Sequence, residues 1–128
     1  MAIQNPSFPW VNYKSSLVNN INDSGAVVLT ATNVSILESI FVSNETNGII
    51  NINLKLLRQN SQGEETEYYF VRSLKLNPHQ GISIFNSDAE GPIYLQPDDI
   101  IYAESDGSSN YFSCIISYDE LNELNNDT

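Results

Sequence analysis

Residue types able to carry chemistry are few in this chain and widely spaced. The single histidine, His79, follows Pro78 in the turn-like run Asn77-Pro78-His79-Gln80-Gly81. No carboxylate stands at a triad spacing from it, and there is no G-x-S-x-G elbow, so it reads as a surface turn residue rather than a general base. The single cysteine, Cys114, alternates with Phe112 and Ile116. That period places its thiol on a buried apolar face, where a thiolate is disfavoured and core packing is the expected role. Acidic pairs occur at Asp98-Asp99 and at Glu104 with Asp106. Such oxygens suit calcium, but neighbours on a strand point to opposite faces, so Asp98 and Asp99 are expected to cap turns rather than share an ion. A glycosidase-type acid pair has no further support. Phosphate-cradling glycine loops, H-E-x-x-H and kinase signatures are absent, and the six glycines are scattered at turns. No catalytic, cofactor-binding or metal-binding set can be written from these residues, and an enzyme is not expected.

The elements that would position these groups are strands. From Gly25 onward the pattern has period two, broken by turn residues at the spacing of an antiparallel sandwich or barrel. Segments 25–32 and 33–43 are β-branched and aromatic. The second carries Val34, Ile36, Ile40 and Val42 against Leu37 and Phe41, and apolar residues on both faces imply a central strand or an interface. After Asn47-Gly48, residues 49–58 alternate cleanly, with Ile50, Ile52, Leu54 and Leu56 inward and Asn51, Asn53 and Lys55 outward. A hairpin with 66–76 follows, in which Tyr68, Phe70 and Leu74 oppose Tyr69 and Val71. It gathers Lys55, Arg58, Arg72 and Lys75, so cross-strand pairing with Glu64, Glu65 and Glu67 is expected. Short strands at 82–85 and 93–95 lead to 99–105 and 111–118, joined by a predicted hairpin loop with Asp106-Gly107 at its head. Seven or eight strands result. The fold class is all-β, an antiparallel β-sandwich of jelly-roll or immunoglobulin-like order, which period-two patterns do not distinguish.

Composition bounds the rest. The chain has 128 residues, 41% hydrophobic and 16% charged, which is a globular composition of one domain's length. Five basic against 16 acidic residues leave a formal charge of −11. That charge opposes a phosphate backbone and an anionic membrane surface, so neither nucleic acid nor membrane is an expected partner. Residues 1–76 carry 6 acidic and 5 basic groups, and residues 77–128 carry 10 acidic groups and no Lys or Arg. The second half is therefore an acidic surface, either a solvated face or a docking face for a basic partner or for cations. One cysteine excludes an intramolecular disulfide, and no Cys/His cluster exists for zinc. The first residues lack a basic and then apolar leader, and no run of 18 apolar residues occurs, so a soluble chain without signal peptide is expected. Asn22, Asn33, Asn44 and Asn126 begin Asn-x-Ser/Thr triplets, as 17 Asn and 16 Ser would generate by chance.

Residues 1–22 hold two of the five prolines, the only Trp and no sustained period. They are expected to form an extended N-terminal arm, followed by the sandwich domain over 23–118 and a short acidic tail over 119–128. Phe8, Trp10, Val11 and Tyr13 would be costly to leave in water, so they lie either on their own domain or on a neighbouring subunit. With Leu37 and Phe41 from the two-sided strand, they are the expected subunit-interface residues.

Three stretches stand out together: Ile36-Leu37-Glu38-Ser39-Ile40-Phe41-Val42-Ser43-Asn44, Leu95-Gln96-Pro97-Asp98-Asp99-Ile100-Ile101-Tyr102-Ala103-Glu104 and Ile115-Ile116-Ser117-Tyr118. On them, the region from Val27 to Tyr118 resembles small all-β virion proteins of tailed bacteriophages. It departs from them at Asp98, where they carry Gly. The resemblance implies a non-enzymatic virion protein made in the host cytoplasm: a capsid decoration or cement subunit, or else a neck or tail accessory protein. Its partners would be the major capsid protein or neck and tail proteins, with homo-oligomers in the assembly and no cofactor. The other reading of the sandwich is a carbohydrate- or receptor-binding module in which Tyr68, Tyr69, Tyr102 and Tyr111 form a stacking platform.

Overall fold

The computed structural model describes residues 11–121. Nine strands and one helical turn follow in order: β1 Val11–Ile21, β2 Ala26–Thr30, β3 Ser35–Asn44, β4 Ile50–Gln59, β5 Glu65–Leu76, β6 Gly81–Asn86, α1 Ser87–Glu90, β7 Ile93–Leu95, β8 Ile100–Ser105 and β9 Phe112–Leu121. They build two antiparallel sheets. The front sheet has the order β1-β9-β3-β6, with β7 also pairing β3; the back sheet has the order β2-β8-β4-β5. β7 pairs Ser35–Leu37 and β6 pairs Ser39–Ser43 on the same edge of β3, so the two form one row interrupted by α1. Counted so, there are four rows a sheet, and the chain changes sheet at every step except β4 to β5 and β6 to β7. This is the jelly-roll order, not the immunoglobulin one.

Burial follows the alternation. Ile50, Ile52, Leu54 and Leu56 of β4 point inward with Ile101 and Ala103 of β8, against Leu37, Ile40, Val42, Phe112, Cys114 and Ile116 of the front sheet. Leu37 and Ile40 are three residues apart yet both inside, because the β3–β9 register shifts between Leu37 and Ser39. The extra residue of this bulge turns the side chains over, and it explains the apolar two-sidedness of the segment. β3 is the central strand that this pattern called for.

Four expectations are corrected. The extended arm over 1–22 is, from Val11 to Ile21, an edge strand paired along its length with β9; Ile21 and Val18 belong to the core. Its weak period reflects exposure of most of its residues and a shift between Val18 and Ile21, where Asn20 takes a positive φ of 58°. Residues 119–121, assigned to the acidic tail, are the end of β9, with Glu120 buried; the sandwich thus extends over 11–121. The loop at Asp106-Gly107 is not a hairpin, because β8 lies in the back sheet and β9 in the front one. Val71, expected beside Tyr69, faces Leu54 and packs on the core, since two register shifts in the β4–β5 pair re-aim that strand.

Candidate functional site

The middle of the outer face of the front sheet carries no charged residue, in a molecule of net charge −11. Along β1 the Ser16 hydroxyl donates to the Val28 carbonyl of the opposite sheet at 2.7 Å, so Ser16 and Val18 face in and Tyr13, Ser15 and Leu17 face out. The register sets Leu17 opposite Ile115, Ile115 opposite Phe41 and Phe41 opposite Ser83. An apolar row therefore crosses three strands, with Leu17 58%, Ile115 38% and Phe41 43% exposed. Gly81 lets the Phe41 ring lie against the sheet: a Cβ there would come within 2.7 Å of the ring's Cζ. On one side the row is flanked by Ser15, Ser117 and Ser39, and on the other by Ser113 and Ser43, with the Ser113 hydroxyl donating to Asn19 at 3.0 Å. None of these positions carries a charge.

Charge begins at the Tyr13 end. Glu38 sits at the β3 bulge and accepts a short hydrogen bond from the Ser87 hydroxyl of α1. Burial, then the neighbouring Glu38, pushes the Asp119 carboxyl up to about 6, while its hydrogen bond and that of Ser87 hold Glu38 below the usual glutamate range. Below about pH 6 Asp119 therefore keeps its proton beside the ionised Glu38, since two like charges so placed are costly. Beside them Lys14 pairs with Glu120 at 2.8 Å, which raises the lysine and lowers the glutamate. A shallow hollow of about 360 Å³ opens there, between Tyr13, Lys14, Ser15, Ser117, Tyr118 and Asp119.

The outer face of the back sheet is polar and aromatic. The row Tyr69, Lys55, Tyr102 and Val27 crosses all four of its strands. The Lys55 ammonium lies 5.6 Å from the Tyr69 ring centre and 5.5 Å from that of Tyr102, and it pairs with Glu67 at 3.0 Å. Arg72 covers the Tyr69 ring at 3.9 Å. Of the four tyrosines considered as a platform, the fold brings together Tyr69 and Tyr102. Tyr68 lies opposite the inward-facing Leu56, and Tyr111 precedes β9.

The remaining candidates serve turns and the core. His79 has a φ of 56°, and its Nε2 lies 2.7 Å from the Asn47 side-chain oxygen. Burial pushes the Cys114 thiol up to about 12. Gln96-Pro97-Asp98-Asp99 is a type II turn: Pro97 leads, Asp98 takes the glycine-like φ of 76°, and the Asp99 amide donates to the Gln96 carbonyl. The buried Asp99 carboxylate accepts from the Gln96 amide and from Nε and a terminal nitrogen of Arg58, so Arg58 is drawn from the hairpin acids to this turn. Glu104 accepts from Asn53, and Asp106 from Asn51 and Asn110; those two amides hold Asp106 below its ordinary range. Among the described residues no group of three or more His, Cys, Asp or Glu could hold a metal ion. No helix of the described residues is long and apolar enough to cross a membrane.

Of the expected interface residues, Tyr13 and Phe41 are exposed on the front face and Val11 is half-buried opposite Leu121. Leu37 is corrected: at 0% exposure it belongs to the chain's own core, because the bulge beside it turns it inward. Phe8 and Trp10 lie outside the described residues. Leu17 and Ile115 were missed. Their signal was the outward parity of Tyr13-Ser15-Leu17 and of Ile115 between Cys114 and Ile116, which only strand pairing aligns into a row.

No family model matches the chain, and no curated protein matches it in sequence. Among solved structures, a chain of the T13 particle of infectious bursal disease virus is similar, with a TM-score of 0.51, 8% identity and coverage of 88% of this chain and 31% of that one. A structure of the Gx strain of the same virus gives 0.49, 11%, 87% and 32%. A xylan-binding domain of carbohydrate-binding module family 22 gives 0.48, 9%, 91% and 89%. The chain spans about a third of the viral chains it matches. The first of these likenesses shows the fold alone, an all-β sandwich.

Proposed function

We propose that this chain is a non-enzymatic structural protein of a bacteriophage virion, a capsid decoration or cement subunit that binds neighbouring virion proteins through its front face and N-terminal arm. The observation that carries this reading is the uncharged Leu17–Ile115–Phe41 row. A chain of net charge −11 has little reason to leave three large apolar side chains in register across three strands unless a neighbour covers them. The similar fold of the viral particle chain is consistent with such a role. The acidic remainder of the surface suits a position away from the packaged genome, and the virion is the expected location. The test is the copy number of the chain in purified particles, by quantitative peptide mass spectrometry against the major capsid protein. A ratio near one, or a simple fraction, is expected. A single ring's worth would move the protein to the neck or tail, and absence from the particle would overturn the reading.

A second reading is a glycan-binding module, favoured by the Tyr69–Lys55–Tyr102 row. Binding on a glycan array that is lost in Tyr102→Ala would support it.

A further inference from the structure

We propose that the Leu17–Ile115–Phe41 row is the seat of the aromatic N-terminal segment of a second copy of this chain, with Phe8 and Trp10 as its anchors. The inference rests on the assembly reading above and names its partner. Reach is the first argument. Leu17 lies six residues along β1 from Val11, about 20 Å at strand rise. Phe8 stands three residues before Val11 and can span at most about 11 Å even when fully extended. By that limit the backbone at Phe8 or Trp10 of the same molecule cannot come level with Leu17. Those of a neighbour are under no such limit.

Charge is the second argument. Two bodies of −11 repel, so a segment without acidic groups meets this face at least cost. Residues 1–13 contain no Asp, Glu, Lys, Arg or His, and they hold the only Trp of the chain. Pro6 and Pro9 withhold amide donors and favour an extended path. Such a segment can lie across a surface of Ser15, Ser117, Ser39, Ser113 and Ser43 and place its rings on the apolar row between them. Copies joined in this way bring together two neutral surfaces while their acidic bodies stay apart.

The test uses the full-length chain with Ser7→Cys in one preparation and Ser83→Cys in another. Both substitutions leave the aromatic anchors and the row intact, and the buried Cys114 is a poor competitor. On mixing under mild oxidation, a disulfide between the two different chains is expected. Sedimentation velocity should show multimers of the unaltered chain, with association weakened at least about tenfold by Ile115→Lys and equally by the paired change Phe8→Ala and Trp10→Ala. Circular dichroism of Ile115→Lys should be unchanged, since the site is at the surface. An intramolecular disulfide in a monomeric double-cysteine chain would overturn the proposal. No cross-link, in a chain still present in particles, would also overturn it while leaving the virion reading in place. A cross-linked multimer absent from particles would retain the docking and sink the virion reading instead.

Discussion

Asp99 shows how one residue ties local turn chemistry to the core. Its carboxylate is buried, caps the type II turn at Gln96 and takes the Arg58 guanidinium in a two-pronged pair. Removing one member of such a pair leaves a polar group without its partner. Asp99→Ala is expected to cost about 2–3 kcal/mol in urea unfolding, the part-exposed arginine tempering the upper end. Arg58→Lys should recover little, because an ammonium cannot make the same fork. The Glu38–Asp119 pair predicts a pH dependence. Asp119 titrates near 6 in the folded chain, above its ordinary value of 3.8, so the folded state holds the extra proton. Its stabilising contribution is complete below about pH 4 and is lost as pH rises through 6. Glu38, held low, contributes in the opposite sense only in more acidic solution, where its own stabilisation fades. The melting temperature should therefore fall by a few degrees from pH 5 to pH 7.5, and Asp119→Asn should flatten that slope; an unchanged slope would mean that Asp119 does not keep its proton beside the ionised Glu38.

At the level of the element, β1 is the strand whose role differs most from expectation. It closes the front sheet against β9, contributes Ile21 and Val18 to the core, and reaches the back sheet through Ser16. Deleting residues 2–10 is expected to leave a domain that unfolds cooperatively by calorimetry. Deleting residues 2–21 should abolish the cooperative transition, because it uncovers the core beside Phe112 and turns β9 into a bare edge. If the shorter deletion also abolishes the transition, the first ten residues contribute to the chain's own fold. Register shifts do comparable work elsewhere. The bulge of β3 admits both Leu37 and Ile40 to the interior, and those of the β4–β5 pair turn Val71 inward beside Leu54.

For the whole molecule, charge and assembly are opposed. A net charge of −11 makes copies repel, while the contact surface proposed is neutral. Raising salt from 50 to 500 mM shortens the Debye length from about 14 Å to about 4 Å and should therefore strengthen self-association. Sedimentation at the two salt concentrations checks this. A steep weakening would instead place the acidic half of the chain in the interface.

Much of this molecule is legible in its sequence. Period-two alternation in 49–58 sorts Ile50, Ile52, Leu54 and Leu56 from Asn51, Asn53 and Lys55 without error, because a strand offers two faces and only one is dry. The interior position of Cys114 and the turn at Pro97 follow from equally local rules. Sheet order does not, since Asp106-Gly107 would turn the chain equally well into a hairpin or across to the other sheet, and only the competition of β1 and β3 for the edges of β9 settles it. The apolar front row belongs to the same class. Leu17, Ile115 and Phe41 are distant in sequence, each is unremarked on its own strand, and it is hydrogen-bonded register that sets them side by side.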